Sequence, residues 1–197
     1  MSKYSFFLML LFVLPSILNI DYILNIWLVT PPDFTAILLF YGLIFNLVES
    51  LHAPLWVSMQ ATGKLKQYQI VISSIYLLNL PLLYLVYFCG YKPESMLLIQ
   101  TFISAIIIIV RLIYSRKLAH LNVSVYIYKV IIPIIKVSVI AVPIPVIVSS
   151  YMQPSLLKLF VTVIISILFL CLTIYFFGMN YQERITIKVN VKNRILR

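Results

Sequence analysis

Glu49 and His52 stand three residues apart in the apolar stretch 35–60, a spacing that sets a carboxylate and an imidazole side by side on a helix. Such a pair can share a proton or respond to pH. At 100° per residue, Gly42, Asn46, Glu49 and Ala53 fall on one narrow face, with Ser50 and His52 flanking it. A carboxylate in mid-bilayer costs ~3 kcal/mol on insertion scales, so it is expected to face the bundle interior. There it marks an ion or substrate pathway, or it makes a structural hydrogen bond or ion pair with another helix, for instance through Lys136. Asn46, Glu49, His52, Arg111 and Lys136 are the candidate pathway residues. Lys136 lies about seven residues into an apolar stretch, where its ammonium can snorkel to the interface or meet an anionic group such as a lipid pyrophosphate. Arg111 lies near the end of its stretch and reads first as an interfacial anchor, with ligand contact as the sharper alternative.

Other chemistries are poorly served. The remaining histidine, His120, falls in a polar break, so no tetrahedral metal site can be assembled. Asp21, Asp33, Glu49, Glu94 and Glu183 are scattered, and no acid/base pair is visible. There is no Gly-x-Ser-x-Gly elbow and no phosphate-cradling glycine loop, with only 4 glycines in 197 residues. We therefore expect neither enzyme activity nor a cofactor. A membrane glycosyl polymerase or ligase, the rival enzyme class, would carry a sizeable external loop, and the breaks here are short.

The elements that position these residues follow from composition. The chain is 63% hydrophobic and 10% charged, with a mean hydropathy of +1.08, far from the soluble average of about half apolar and a quarter charged. Lipid must be the solvent, and each crossing needs about 20 apolar residues. Apolar spans read at 4–29, 35–60, 68–88, 95–114, 130–150 and 155–178, which predicts an all-α polytopic bundle of six helices. Open strands would leave backbone groups unpaired in hydrocarbon, and the ten-residue alternation of barrel strands is absent. Residues 1–178 form the membrane domain and 179–197 a basic tail. Cys89 and Cys171 imply no disulfide framework.

Basic residues set the orientation. Lys3, then Lys64 and Lys66, then Arg111, Arg116, Lys117 and Lys129, and finally five in the tail fall on one side, against Lys92 and Lys158 on the other. Both termini are therefore expected to be cytoplasmic. The net charge of +10 reflects this sidedness, and nucleic acid is not an expected partner. The alternation over 185–191 permits an interfacial strand, though a disordered basic tail is the simpler expectation. Lys3 before an apolar run resembles a signal peptide, but Pro15-Ser16-Ile17-Leu18-Asn19 offers no small-x-small cleavage site. Asn122-Val123-Ser124 has the form of a glycosylation sequon on the cytoplasmic side, where it reads as chance. Pro15, Pro54, Pro81, Pro133, Pro143 and Pro145 lie within the spans and predict kinked or broken helices. Ser73, Tyr76 and Asn79 can line a polar seam beside Pro81.

Several segments also resemble a known family: Ile26-Trp27-Leu28 with Pro31-Pro32, Ala61-Thr62-Gly63-Lys64-Leu65-Lys66-Gln67-Tyr68-Gln69, Asn79-Leu80-Pro81 with Tyr84, and Gly90-Tyr91-Lys92-Pro93-Glu94. In this order they resemble the polysaccharide (O-antigen) flippases, a family of the group that also holds multidrug MATE exporters and lipid II flippases. Val29 departs from the pattern, where a glycine is usual. The resemblance implies a bacterial plasma-membrane protein that moves a polyprenyl-pyrophosphate-linked oligosaccharide, a lipopolysaccharide precursor, between leaflets. It further implies two lobes of six spans, often followed by two more, around a central cavity. This chain looks like the last six spans, so its expected partners are membrane lipid, the lipid-linked oligosaccharide and a missing N-terminal lobe or another subunit. An ion-coupled multidrug exporter and an inserted fragment without activity are the rival readings.

Overall fold

The computed structural model describes residues 1–28, 30–63, 65–179 and 183–185. Val29, Lys64 and most of the basic tail, including all but the first residue of the 185–191 alternation, lie outside the described residues. The described residues are helical with short breaks, and no strand occurs among them. Five helical stretches are long and apolar enough to cross a membrane: Thr35–Gln60, Lys66–Phe88, Ser95–Leu118, Val123–Ser150 and Leu156–Gly178. A sixth is made if α1 (Ser2–Leu18) and α2 (Ile20–Leu28), which meet at 78°, count as one span.

Proline explains where the rods break. A proline cannot donate to the carbonyl four residues back, and its ring crowds that carbonyl. Accordingly α3 (Thr35–Glu49) gives way to α4 (His52–Gln60) at Ser50 and Leu51, four and three residues before Pro54. In the next span α5 (Lys66–Leu77) meets α6 (Asn79–Phe88) at Leu78, three residues before Pro81. No proline interrupts α7 (Ser95–Leu118), the longest unbroken helix. After it, α8 (Val123–Tyr126) widens into a π-type turn over Ile127–Ile131, whose Lys129 carbonyl Pro133 cannot satisfy. From there α9 (Ile132–Ala141) meets α10 (Pro143–Ser150) at Val142, and α11 (Leu156–Thr173) ends in a second wide turn, Ile174–Gly178.

Pro15 differs, because the chain breaks after it. The Asn19 side chain donates to the Pro15 carbonyl at 2.9 Å and to Thr162 Oγ1 of α11 at 2.7 Å. These bonds hold the elbow between α1 and α2 against the last span. Span ends also moved from their expected places. The fourth helix continues to Leu118, and the fifth begins at Val123 because Asn122 Oδ1 accepts from the amides of Ser124 and Val125 at 3.1 and 3.4 Å. The asparagine of the apparent sequon is thus a helix cap. Gly63 and Gly90 turn two breaks at φ of +68° and +78°, where a Cβ would be strained.

Packing divides the bundle in two. The second, third and fourth spans enclose Met59, Tyr68, Ile72, Ile103 and Ile107. The first, fifth and sixth enclose Phe7, Leu10, Leu14, Ile134, Val137 and Leu170, and Leu51 of the second span joins this cluster. Helix α1 touches both groups, packing on α3 and α4 and on α9, α10 and α11. Facing residues on α11 are small and polar: Thr162, Ser166 and Thr173 are all but fully buried, as suits helices that associate by close approach rather than by apolar burial. Large apolar side chains such as Phe12, Phe102, Ile109 and Leu168 point outward and are more than half exposed. The two described ends of the chain meet, with Lys3 Nζ donating to the Gly178 carbonyl at 3.1 Å and to Glu183 at 2.5 Å.

Candidate functional site

The break at Ser50 and Leu51 turns Glu49 and His52 toward α7. Ser104, fully buried on α7, stands between them: its Oγ lies 2.8 Å from Glu49 Oε1 and 2.9 Å from His52 Nε2, while those two atoms are 3.8 Å apart. A serine hydroxyl has one proton. Given to an ionised Glu49, it leaves only the oxygen for His52, whose Nε2 must then carry a proton and donate. The result is a directed chain from imidazole N–H to hydroxyl to carboxylate. The Tyr76 hydroxyl adds a longer contact to Glu49 at 3.4 Å. His52 is 4% exposed and its Nδ1 has no partner.

Arg111 follows Ser104 by seven residues, two helical turns, and so faces the same way from α7. Its guanidinium lies 5.7 Å from the Trp56 ring and 5.8 Å from the Tyr68 ring, and these two rings stack at 5.9 Å. Each cation–π contact is worth ~0.5–2 kcal/mol, increasing with desolvation, enough together to offset an insertion cost of ~3 kcal/mol. Yet Nε and Nη1 have no hydrogen-bond partner. Glu49 and Arg111 make no direct ion pair; both line a cleft of about 360 Å³ with His52, Trp56, Gln69 and Tyr76. An acid and a base are thus held apart across a space that could admit a small anionic group or water.

Three of the five candidates from the sequence, Glu49, His52 and Arg111, come together here. Two do not. Asn46 is exposed and donates to its own Gly42 carbonyl at 2.9 Å. Lys136 is exposed on α9, does not line the cleft and makes no pair with Glu49, so that structural pairing is replaced by Ser104, His52 and Tyr76. Because the fifth span starts at Val123, Lys136 sits near its middle rather than seven residues from its end. Arg111 is likewise no anchor at a helix end, since α7 runs on to Leu118 and the side chain is 8% exposed. Ser104, Trp56, Tyr68 and Gln69 were not legible as site residues. Only the seven-residue step from Ser104 to Arg111 signals them, and serine on an apolar helix is ordinarily a packing residue. Among the described residues no group of three or more His, Cys, Asp or Glu could hold a metal ion.

Compared with models of known families, with curated proteins and with solved structures, the chain finds no match in any of the three. What its helices do define is the class: a multi-pass, all-helical membrane protein with five or six crossings.

Proposed function

We propose that the chain belongs to a flippase of the polysaccharide type, translocating a polyprenyl-pyrophosphate-linked oligosaccharide across a bacterial plasma membrane in concert with a complementary helical lobe. The observation that carries the reading is the Arg111 guanidinium, which lies inside the membrane span, lines an open cleft and leaves Nε and Nη1 without an acceptor. Its ring contacts leave those two nitrogens with no acceptor, and a guanidinium matches the oxygens of a pyrophosphate. Glu49, held by Ser104 and Tyr76, sits across the cleft as a counter-charge that can take up an ion or a proton while the lobes rock. Lys136 supports the need for a second lobe. An exposed ammonium halfway along a span costs ~3 kcal/mol in lipid, and a water-filled cavity or a partner helix over α9 removes that cost. In this arrangement both ends of the chain lie in the cytoplasm, and no cofactor or nucleic acid takes part.

The test is flipping of a fluorescent polyprenyl-pyrophosphate oligosaccharide in proteoliposomes containing the chain and its complementary lobe. Losing a charge-assisted hydrogen bond worth ~1.5–3 kcal/mol slows the step about tenfold or more. Arg111→Gln should show that loss and Arg111→Lys a partial recovery. Unchanged rates in Glu49→Gln, Arg111→Gln and Lys136→Ala would remove all three from the pathway. An ion-coupled drug exporter is the alternative, and it would instead lower the accumulation of cationic dyes.

A further inference from the structure

The last two turns of α7 border a second open space, unconnected by residues with the cleft around Glu49. This groove of about 570 Å³ runs between α7 and the start of the fifth span. Ile109, Leu112, Ile113, Val123 and Ile127 wall it, and Arg116 and Lys117 complete its lining. Arg116 and Lys117 are exposed, and neither enters an ion pair or hydrogen bond among the described residues. From Ile109 to Arg116 the helix rises ~10 Å, so the apolar wall extends inward from the charged end by the length of many methylenes.

We propose that this groove binds one anionic glycerophospholipid, with an acyl chain laid along the isoleucine wall and the phosphate held by Arg116 and Lys117. The two halves of the site select the same molecule. A free phosphate would leave the apolar wall empty, and a zwitterionic lipid would meet the two cations with no net charge. The break that follows α7 lies on the side carrying most of the basic residues, which is the cytoplasmic face when loops are short. Anionic lipids on that face attract basic side chains at ~1 kcal/mol each, a factor of about five per cation. The site stands whether or not the transport reading does, because it shares no residue with the cleft.

A fluorescent reporter at Ile113, 48% exposed on the groove wall, reads occupancy directly. Cys89 and Cys171 are replaced by Ser, Ile113→Cys is labelled with bimane, and the full chain is placed in phosphatidylcholine nanodiscs. Phosphatidylglycerol with dibrominated acyl chains should then quench at a five- to thirtyfold lower mole fraction than dibrominated phosphatidylcholine. A label at Leu168→Cys, on the outward face of α11 and 65% exposed, should be quenched equally by both, and it also reports that each variant is inserted. Arg116→Gln with Lys117→Gln should bring the preference at position 113 below twofold, with Lys117→Gln alone in between. Equal quenching by the two lipids, or a preference that survives the double substitution, overturns the proposal. So does a label quenched by neither lipid, which would mean that protein, a second copy or another helix, fills the groove.

Discussion

Deleting one hydroxyl from α7 should loosen the bundle as much as deleting a well-packed methyl group or two. In Ser104→Ala, His52 loses the partner of Nε2 at 2.9 Å, and its Nδ1 already has none. Glu49 loses its 2.8 Å donor and keeps the longer contacts to Tyr76 at 3.4 Å and His52 at 3.8 Å. A neutral bond contributes ~1 kcal/mol and one to a charged group ~1.5–3 kcal/mol, but interhelical bonds within membranes average ~0.6 kcal/mol and reach ~1.7. The expected destabilisation is therefore ~1–3 kcal/mol. Glu49→Gln keeps shape and acceptor while removing charge, and the double variant should show a coupling of ~0.5–2 kcal/mol, since both changes act on one network. The measurement is reversible unfolding of the reconstituted chain by steric trapping. Ser166→Ala is the control: Ser166 is equally buried but its hydroxyl has no partner, so its loss should be neutral or stabilising. A Ser104→Ala variant within ~0.3 kcal/mol of the parent, or strict additivity with Glu49→Gln, would refute the bridge.

Two further outcomes test the architecture. Gly178→Ala would set a Cβ 2.9 Å from Phe7 Cε2 and 3.3 Å from Val137 Cγ2, an overpacking that costs ~1–3 kcal/mol; the thermal midpoint in detergent should fall, and Phe7→Leu should restore part of it. Cys89 is exposed in the break after the third span, so in a Cys171→Ser background a membrane-impermeant maleimide should label it from outside intact cells, and labelling only after permeabilisation would reverse the orientation.

Much of this arrangement was legible in the sequence because the bilayer simplifies the problem. Apolar runs had to be helices, and the prolines located most of the breaks, since the missing donor at Pro54, Pro81 and Pro145 acts within its own turn. Where single side chains intervened, from a distant span or as a helix cap, the apolar pattern failed. The elbow after Pro15 depends on Asn19 reaching Thr162, and the start of the fifth span depends on what Asn122 does with its amide. At the site, a carboxylate and a histidine in an apolar run announced themselves by cost. Ser104 did not, because a hydroxyl costs little to bury and its importance lies in standing between two residues of another span. By position along its span Lys136 reads deeper than Arg111, yet it is Arg111 that is buried, on the side of α7 that carries Ser104.

Helix α1 is synthesised well before α11, the neighbour it packs against. Asn19 and Thr162 are 143 residues apart, an interval of roughly 7–30 s at typical rates of synthesis of ~5–20 residues per second. Throughout that wait the carboxamide of Asn19 and the ammonium of Lys3 must reside at the membrane without the partners that later satisfy them. The nascent protein is therefore expected to keep α1 beside the translocation machinery, or shielded by an insertase, until α11 emerges to receive it.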